Sequence, residues 1–319
     1  MQVKSVREAV VAGKRVLLRL DLNVPLQNGK VADDTRIKAT LPTIRFLLER
    51  GAKIVVLTHL GRPGGVVVEA LKVAPVAARL AELVGQEVEV LENLRFNPGE
   101  EANDTTFAKE LAQKGDLYVG DAFADAHRAH ASIVGLPKLL PSYAGFLMER
   151  EVAELTGALT PPSGSVAVVA VTKADKIPLI QKLATLYRTV FVGGPVPSDF
   201  VPSAPNIQIP VDGIPELKGL LDIGPKTREA WVTEVGAAPF VLWNGPVGWY
   251  EKGYQEGTNA IAETIISNGV RAVIGGGDTL SALKGFEFNP AKVFLSTGGG
   301  AMLDFLSEGT LPGLEVLKK

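Results

Sequence analysis

The sequence contains no cysteine, which excludes disulfide bonds, thiolate metal sites and cysteine nucleophiles. Aromatic residues make up only 6% of the chain, so the cores are expected to be aliphatic. The formal net charge of −2 favours neither nucleic acid nor an anionic membrane as a partner. No run approaches the ~18 apolar residues that a transmembrane helix requires. Selectivity for an anion must therefore come from individually placed residues.

The N-terminal segment also lacks the features of a secretion signal. It is amphipathic, carries acidic as well as basic residues, and has neither an apolar core nor a small-residue cleavage site. We therefore expect a cytoplasmic protein. The expected partners are small molecules rather than nucleic acid or a membrane, and a monomer is expected.

Short aliphatic runs alternate with helical periodicity along the 319 residues, a length that suits two domains at roughly 150 residues each. Buried strands are predicted at 15–20, 53–58, 116–120, 166–171, 189–193, 240–243, 271–275 and 292–296. Helices are predicted at 35–50, 74–85, 104–115, 145–159, 257–269 and 278–285. This alternation predicts an α/β fold with two lobes, each a doubly wound parallel sheet flanked by helices. Ligands should then bind at the carboxyl ends of the strands.

Two segments interrupt this alternation. The helix at 145–159 is followed by the turn-rich sequence TPPSGS, which makes 145–165 the best candidate for a domain boundary. Residues 192–217 are rich in proline and poor in periodicity, so they form either a functional loop or the remnant of a lost element.

The first half of the chain carries arginines and histidines directly after its predicted strands. Asp21 and Asn23 lie on one face and could bind a hydroxylated ligand, although an ordinary Asx turn is the alternative. Arg36 lies in the first turn of a predicted helix, where an ordinary solvated arginine is the alternative to a ligand-binding one. The remaining cationic candidates follow strands or strand-like runs and are His59, Arg62, Arg95, His127, Arg128 and His130. So many cations at adjacent strand ends predict a site for a small, phosphorylated anion.

The second half carries lysines and glycines at the corresponding places. Lys173 and Lys176 follow a strand and could neutralise a transferring phosphoryl group, or could be two exposed lysines. In VIGGGDT, Gly275, Gly276 and Gly277 permit close backbone approach, and Asp278 and Thr279 begin a helix suited to phosphate, with Asp278 suited to Mg²⁺. The motif is neither a Walker A loop nor GxGxxG. In WNGPVGWYE, Glu251 could accept hydrogen bonds from ribose hydroxyls, and a purely structural turn is the alternative.

In order along the chain, these motifs resemble those of the phosphoglycerate kinase family. The matching strings are RLDLNVP, DDTRI, THLGRP, LENLRF, DAFADAHRAHAS, LLPSYAGFLMEREV, LDIGPKT, VLWNGPVG, VIGGGDT and LSTGGGA followed by LPG. They extend from near the N-terminus to the last ten residues. The resemblance implies an enzyme that transfers a phosphoryl group between 1,3-bisphosphoglycerate and ADP bound to Mg²⁺, in glycolysis or gluconeogenesis.

The resemblance also implies roles for individual residues. Phosphoglycerate would be bound by Asp21, Asn23, Arg36, His59, Arg62, Arg95, His127 and Arg128. ADP or ATP would be bound by Lys176, Gly193, Gly194, Asn244, Glu251, Gly275, Gly276, Gly277, Asp278 and Thr279, with Asp278 as the metal ligand. The catalytic set would be Arg36, Lys173, Gly276 and Gly299.

The implied domains are a phosphoglycerate-binding lobe at 1–147, a hinge helix at 148–160 and a nucleotide-binding lobe at 161–295. Residues 296–319 would return to the first lobe. Chemistry would be direct in-line transfer, with closure of the lobes bringing donor and acceptor together.

The sequence departs from the family pattern mainly on the nucleotide side. Members of the family are usually longer, and the largest loss lies between VGGP and DIGPKT. The paired lysines normally follow glycines, whereas Ala170, Val171 and Thr172 precede Lys173, and an expected glycine triplet ends in Pro195. These departures motivate an alternative, a catalytically degenerate protein that binds phosphoglycerate with weak or lost nucleotide binding. An NAD-dependent dehydrogenase fits the fold class but has no fingerprint in the sequence.

Overall fold

A computed structural model describes residues 1–170, 176–194, 200–216 and 219–319. The chain divides into two compact units, the first formed by Met1–Ala153 with Thr310–Lys319 and the second by Glu154–Gly309. The lobe boundaries expected from the sequence remain a prediction. Within the described ranges, no helix combines the length and the apolar character that a membrane crossing requires.

The strands are short and mostly parallel. Their bounds are β1 Arg15–Leu20, β2 Leu26–Gln27, β3 Lys30–Val31, β4 Lys53–Leu57, β5 Glu89–Val90, β6 Leu117–Asp121, β7 Ser142–Ala144, β8 Val166–Ala170, β9 Thr189–Gly193, β10 Ile207–Gln208, β11 Gly213–Glu216, β12 Gly219–Ile223, β13 Phe240–Asn244, β14 Arg271–Gly275 and β15 Val293–Ser296.

The helices that the structure describes connect these strands. Their bounds are α1 Thr35–Glu49, α2 Ala74–Val84, α3 Pro98–Glu101, α4 Thr105–Ala112, α5 Phe146–Ala158, α6 Ile177–Leu186, α7 Pro225–Ala237, α8 Glu256–Ser267, α9 Gly277–Ala282, α10 Gly300–Glu308 and α11 Pro312–Glu315. The division between the two units falls within α5.

Each unit contains one parallel sheet. The first has the order β5-β4-β1-β6-β7 and the second the order β10-β9-β8-β13-β14-β15. The central strands are buried almost completely, which explains why they read as continuous aliphatic runs. In both sheets the strands that follow the first one are added on one side of it, and the later strands are added on its other side. The strand order therefore reverses beside β1 and beside β8, and ligands of open α/β sheets bind at such switch points. The predicted fold class is confirmed.

Local sequence accounts for the connecting elements. The apolar residues of α1 that face the core, Ile37, Ile44 and Leu47, recur at helical spacing. Helix α2 ends at Gly85, which adopts the left-handed conformation with φ of 84°. Of the proline-rich segment 192–217, the part that the structure describes contributes β10, which extends the second sheet beside β9.

Both ends of the chain contribute to the first unit. Val3 pairs with Lys318, and the Lys4 amide donates to the Leu317 carbonyl at 2.9 Å. Leu317 is buried against Gly120 of β6, and the Gly313 amide donates to the Ala126 carbonyl at 2.8 Å. The last ten residues therefore complete the packing around β6 and the loop that follows it.

Candidate active site

The carboxyl ends of β1, β4 and β6 bring three polar side chains together. Asp21 follows β1, His59 follows β4 and Asp125 lies shortly after β6, and one ligand atom from each lies within 4.8 Å of the others. Because β1 pairs with both β4 and β6, this meeting point is the switch point of the first sheet.

A buried arginine anchors this cluster. Arg19 is fully buried in β1, and its Nη2 donates to Asp125 Oδ2 at 3.0 Å while its Nε donates to Ser132 Oγ at 2.9 Å. His59 Nδ1 lies 3.3 Å from the same Asp125 oxygen. Burial opposes ionisation of Asp125, but Arg19 and His59 overcome that effect and hold its pKa well below the usual value. Asp125 is therefore a fixed negative charge that orients His59.

A second layer supports this arrangement. The Ser132 hydroxyl donates to Glu100 Oε1 at 2.5 Å, and the Ser132 amide donates to Glu100 Oε2 at 3.0 Å. His130 Nδ1 lies 3.8 Å from Glu100 Oε1. Burial, together with the positive charge of Arg95, lowers the pKa of His130 to about 4. His130 is consequently neutral at neutral pH.

Asp21 and Asn23 shape the loops around the cluster. Asp21 Oδ2 accepts a hydrogen bond from Arg36 Nη1, and Asp21 Oδ1 accepts one from the Asn23 amide. Asn23 Oδ1 accepts the Gly61 amide at 2.9 Å. Burial and the neighbouring Asp125 raise the pKa of Asp21, although Arg36 acts in the opposite direction.

The three grouped side chains do not have the character of a metal site. Arg19 and Arg36 already neutralise Asp125 and Asp21, so a divalent cation would meet two guanidinium groups. The surroundings instead favour an anion.

The clearest sign of an anion site is Arg95. It is buried, with only Nη1 donating to a carbonyl, that of Gly61, at 2.9 Å. Its Nε lies 3.3 Å from Glu101 Oε1, and within the described residues neither Nε nor Nη2 has a hydrogen-bond partner; the same holds for Arg128 Nε. Burial lowers the pKa of Arg95, and the nearby Arg128 lowers it further. Unsatisfied buried donors are costly, so these guanidinium groups suit a bound anion.

The other expected phosphoglycerate ligands lie on the same loops. Arg62 is exposed next to Gly61, and His127 is half-buried beside Arg128. The structure thus groups the candidates of the first unit along four neighbouring strand ends, those of β5, β4, β1 and β6, while their contact with a substrate remains a prediction.

In the second unit, the glycine triplet forms a tight turn between β14 and α9. A Cβ on Gly275 would lie 2.2 Å from Met302 Sδ, and Gly276 has a φ of 102°, which disfavours other residues. Gly277 faces open space. Backbone amides are therefore accessible at the start of α9, as expected for a phosphate-binding turn.

Thr279 and Asp278 differ sharply in environment. The Thr279 hydroxyl is buried, donates to the Gly275 carbonyl at 2.8 Å and accepts the Gly245 amide at 2.7 Å. It thereby ties the loop after β13 to the loop after β14. Asp278 is exposed in the first turn of α9, so its carboxylate is accessible to a cation.

The loop after β13 carries the other expected nucleotide ligands. Asn244 is buried, and its Nδ2 donates to Met302 Sδ at 3.7 Å. Glu251 is exposed, and its Oε2 accepts the Trp249 indole N–H at 3.0 Å. Tyr250, between them, lies near Ser281 and Asp278 of α9, and burial followed by the charge of Asp278 raises its pKa. The loop therefore lies beside the glycine turn.

The remaining candidates sit at three other strand ends. Lys176 Nζ donates to the Ala170 carbonyl at the end of β8, at 2.9 Å. Gly193 packs against Val247, and the Gly194 amide donates to the Val247 carbonyl at 3.2 Å. Gly299 has a φ of 50° and precedes α10. Lys173 lies outside the described residues.

Sequence reasoning missed the residues behind the first site, namely Arg19, Asp125, Glu100 and Ser132. One signal was present, because an arginine inside the aliphatic run RVLLRL is expensive to bury without a partner. Its partners Asp125 and Ser132 lie more than a hundred residues away and could not be assigned from spacing.

Comparison with known proteins agrees with these motifs. The family described as "Phosphoglycerate kinase" matches residues 6–91, 86–209 and 195–309. Phosphoglycerate kinases from Roseiflexus castenholzii and Thermomicrobium roseum are each 39% identical, with 99% of this chain and of each relative covered. The structure of phosphoglycerate kinase from Coxiella burnetii superposes with a TM-score of 0.86 at 31% identity, covering 99% of both chains, and that from Pyrococcus horikoshii with 0.85 at 28%, covering 98% of both.

The relatives are longer than this chain. The alignment with the Roseiflexus castenholzii protein spans 392 positions, against 319 residues here, so roughly 70 positions have no counterpart in this chain. Full-length coverage nevertheless favours a kinase over a non-catalytic protein. From the motifs, the fold and these matches, the chain belongs to the phosphoglycerate kinase family.

Proposed function

We propose that this chain catalyses reversible phosphoryl transfer between 1,3-bisphosphoglycerate and ADP, giving 3-phosphoglycerate and ATP. The observation that carries the proposal is Arg95, a buried guanidinium group with donors left over, next to Arg128. A phosphate or carboxylate on a small acid would satisfy these donors and offset the repulsion between the two cations. The relatives named above are phosphoglycerate kinases, which supports the same substrate.

The acid would be oriented by groups that the fold already fixes. Asp21 and Asn23 offer oxygens for hydroxyl groups, and His59 is held in place by Asp125. Arg36 pairs with Asp21 through Nη1, and its side chain is 38% exposed. The other N–H groups of its guanidinium can therefore donate to a phosphoryl oxygen. Each of these side chains projects from the end of a parallel strand or from the helix that follows it.

The second unit would bind the nucleotide. Its phosphates would contact the backbone amides of Gly275–Gly277, and Glu251 would accept hydrogen bonds from ribose. The exposed Asp278 carboxylate fits Mg²⁺, which takes one or two carboxylates and completes its coordination with phosphates and water. The metal ion would supply charge neutralisation on those phosphates.

Transfer would be direct. An oxygen of the ADP β-phosphate forms a bond to phosphorus of the carboxyl phosphate, the bond from phosphorus to the carboxyl oxygen breaks, and the carboxylate leaves with the electron pair. No proton transfer is required, so the residues act by positioning and by neutralising charge. Arg36 from the acid side and Lys173 from the nucleotide side would stabilise the charge on the transferring group. We further propose that the enzyme works in the cytoplasm as a monomer.

A coupled assay tests the proposal. The full chain is mixed with 1,3-bisphosphoglycerate, ADP and Mg²⁺, and ATP formation is followed. We expect turnover in the unmodified protein, its loss in Arg36→Ala, and its retention in Arg50→Ala, a matched change at the exposed other end of α1. Binding of phosphoglycerate with weak or lost nucleotide binding, and without any ATP formation, would instead establish the degenerate alternative.

A further inference from the structure

Glu101 lies against the buried guanidinium group of the proposed anion site. Its Oε1 is 3.3 Å from Arg95 Nε, and its side chain is 42% exposed, whereas that of Arg95 is 2% exposed. The contact is an attraction between charges and not a hydrogen bond, because Arg95 Nε has no hydrogen-bond partner among the residues that the structure describes. The carboxylate therefore offsets part of the charge of Arg95 without satisfying its donors.

The position of Glu101 on the guanidinium group decides what it blocks. Arg95 Nη1 donates to the Gly61 carbonyl, so Nε and Nη2 are the two nitrogens left for a ligand. These two nitrogens point to the same side of the planar group and match two oxygens of one phosphate. Glu101 Oε1 lies next to Nε, and a phosphate bound to both nitrogens must take its place.

The backbones that carry the pair are fixed. The Arg95 carbonyl accepts the Gly65 amide at 3.1 Å. Glu101 is the last residue of α3, and its neighbour Glu100 is fully buried and accepts two hydrogen bonds from Ser132. The exposed Glu101 side chain can therefore turn into solvent while both backbones stay in place.

The charges around Arg95 show why a replaceable carboxylate suits this place. Burial opposes the charged form and lowers the pKa of Arg95, and the nearby Arg128 lowers it further, whereas Asp125 and Glu101 act in the opposite direction. Asp125 is buried and bonded to Arg19, so it stays in place when a ligand binds. Glu101 is exposed and is the counter-charge that an incoming anion can exchange.

We propose that Glu101 occupies the Nε–Nη2 side of Arg95 in the free protein, that the phosphate of the acid displaces it, and that Glu101 thereby sets the affinity for phosphorylated acids. The inference rests on the proposed function. A carboxylate held beside the site competes with every anion for the same donors, and it would repel a phosphate if it stayed. Anions that make few other contacts are thereby kept out of the site.

Calorimetric titration tests the displacement. 3-Phosphoglycerate, inorganic phosphate and glycerate are each titrated into the full chain and into Glu101→Gln, which keeps the shape of the side chain and removes its charge. We expect Glu101→Gln to bind the two phosphate-bearing ligands about fivefold more tightly, which corresponds to about 1 kcal/mol and to the upper range of an exposed ion pair. Glycerate, which brings no phosphate to Arg95, should bind both proteins equally.

A matched control separates this contact from a general change of charge. Glu110→Gln removes the same charge from an exposed residue of α4 and should leave all three affinities unchanged. In the ATP-consuming direction, Glu101→Gln should lower the KM for 3-phosphoglycerate by a similar factor and leave the KM for ATP unchanged. Damage to the packing of the first unit would raise the KM for 3-phosphoglycerate instead.

The outcomes distinguish this inference from the proposed function. Unchanged or weaker binding of 3-phosphoglycerate to Glu101→Gln, or an equal gain for glycerate, would overturn the displacement while leaving the anion site intact. Failure of 3-phosphoglycerate and inorganic phosphate to bind either the unmodified protein or Glu101→Gln would overturn the proposed anion site itself.

Discussion

Removing the Arg19 side chain should destabilise the first unit severely. In Arg19→Met the packing volume is largely kept, but Asp125 loses its principal counter-charge and Ser132 Oγ loses a donor. Arg19 is 0% exposed and Asp125 is 4% exposed, so water cannot replace the lost partner. Breaking a buried ion pair from one side costs about 3–5 kcal/mol, and we expect a loss in this range at pH 7.5.

The pH dependence of this loss follows from the pKa of Asp125. In the unmodified protein that pKa is lowered, so the stabilisation is complete above the unfolded value of about 3.9 and is lost only as the pH falls toward the folded value. In Arg19→Met, burial is no longer offset by the guanidinium group, and the pKa of Asp125 should rise above its unfolded value. The variant should therefore recover part of its stability as the pH falls from 8 to 5, where the unmodified protein recovers nothing from this group.

Urea unfolding followed by far-UV circular dichroism measures the effect. All three tryptophans lie in the second unit, so indole fluorescence reports on that unit separately. Unfolding of two units need not be a single transition, and the two signals separate them. The double variant Arg19→Met/Asp125→Asn should be more stable than Arg19→Met, because no buried charge is left unpaired. A loss below about 1 kcal/mol, or a double variant that is less stable than the single one, would refute the assigned role of the pair.

Four further predictions concern the reaction and its pH dependence. Arg36→Ala should abolish turnover while calorimetry finds ADP affinity nearly unchanged; an equal loss of ADP affinity would contradict the assignment of acid and nucleotide to different units. Lys173→Ala should lower turnover by at least about a hundredfold, the scale of one preorganised electrostatic group, and retained activity would point to Lys176. ADP and GDP should bind within about tenfold of each other in calorimetric titrations, because contacts with phosphate and metal do not distinguish the bases; clear selection of ADP would show that an adenine-specific wall exists. Burial raises the pKa of Asp121 to about 6, so the stability that its folded, protonated form contributes is complete below the unfolded value of about 3.9 and is lost as the pH rises through 6, by about 3 kcal/mol in all. Asp121→Asn should flatten the measured change in unfolding free energy between about pH 4 and 7, and an unaltered profile would exclude Asp121 as its source.

The strands and the fold class could be predicted from the sequence because parallel strands are buried on both faces. Runs such as RVLLRL and RAVIG coincide with β1 and β14 in the structure. Helix α7 was missed because its buried residues, Thr227, Trp231 and Val235, are few and include a polar one. Strand β10 was missed for a different reason, since two residues inside a proline-rich stretch carry no periodicity.

The site could be predicted only where function places polar residues at strand ends. That rule located the loops carrying His59, Arg95 and the glycine triplet. It did not locate Asp125, whose importance depends on a contact with Arg19 across 106 positions of sequence. The Thr279 hydroxyl closes a turn through Gly275 and Gly245, a contact that residue spacing does not reveal. Spacing identifies the loop that holds a side chain, but the direction of that side chain depends on long-range packing.

The joining of the two chain ends has a consequence for synthesis on the ribosome. Residues 1–153 emerge first, yet Gly313 and Leu317, which cover Ala126 and Gly120, follow only after the whole second unit. At about 5–20 residues per second this delay is on the order of ten seconds or more. During that interval the apolar surface around β6 stays uncovered and the loop beside Asp125 lacks its final backbone contact. Chaperones or proteases should accordingly gain access to the nascent first unit during this interval.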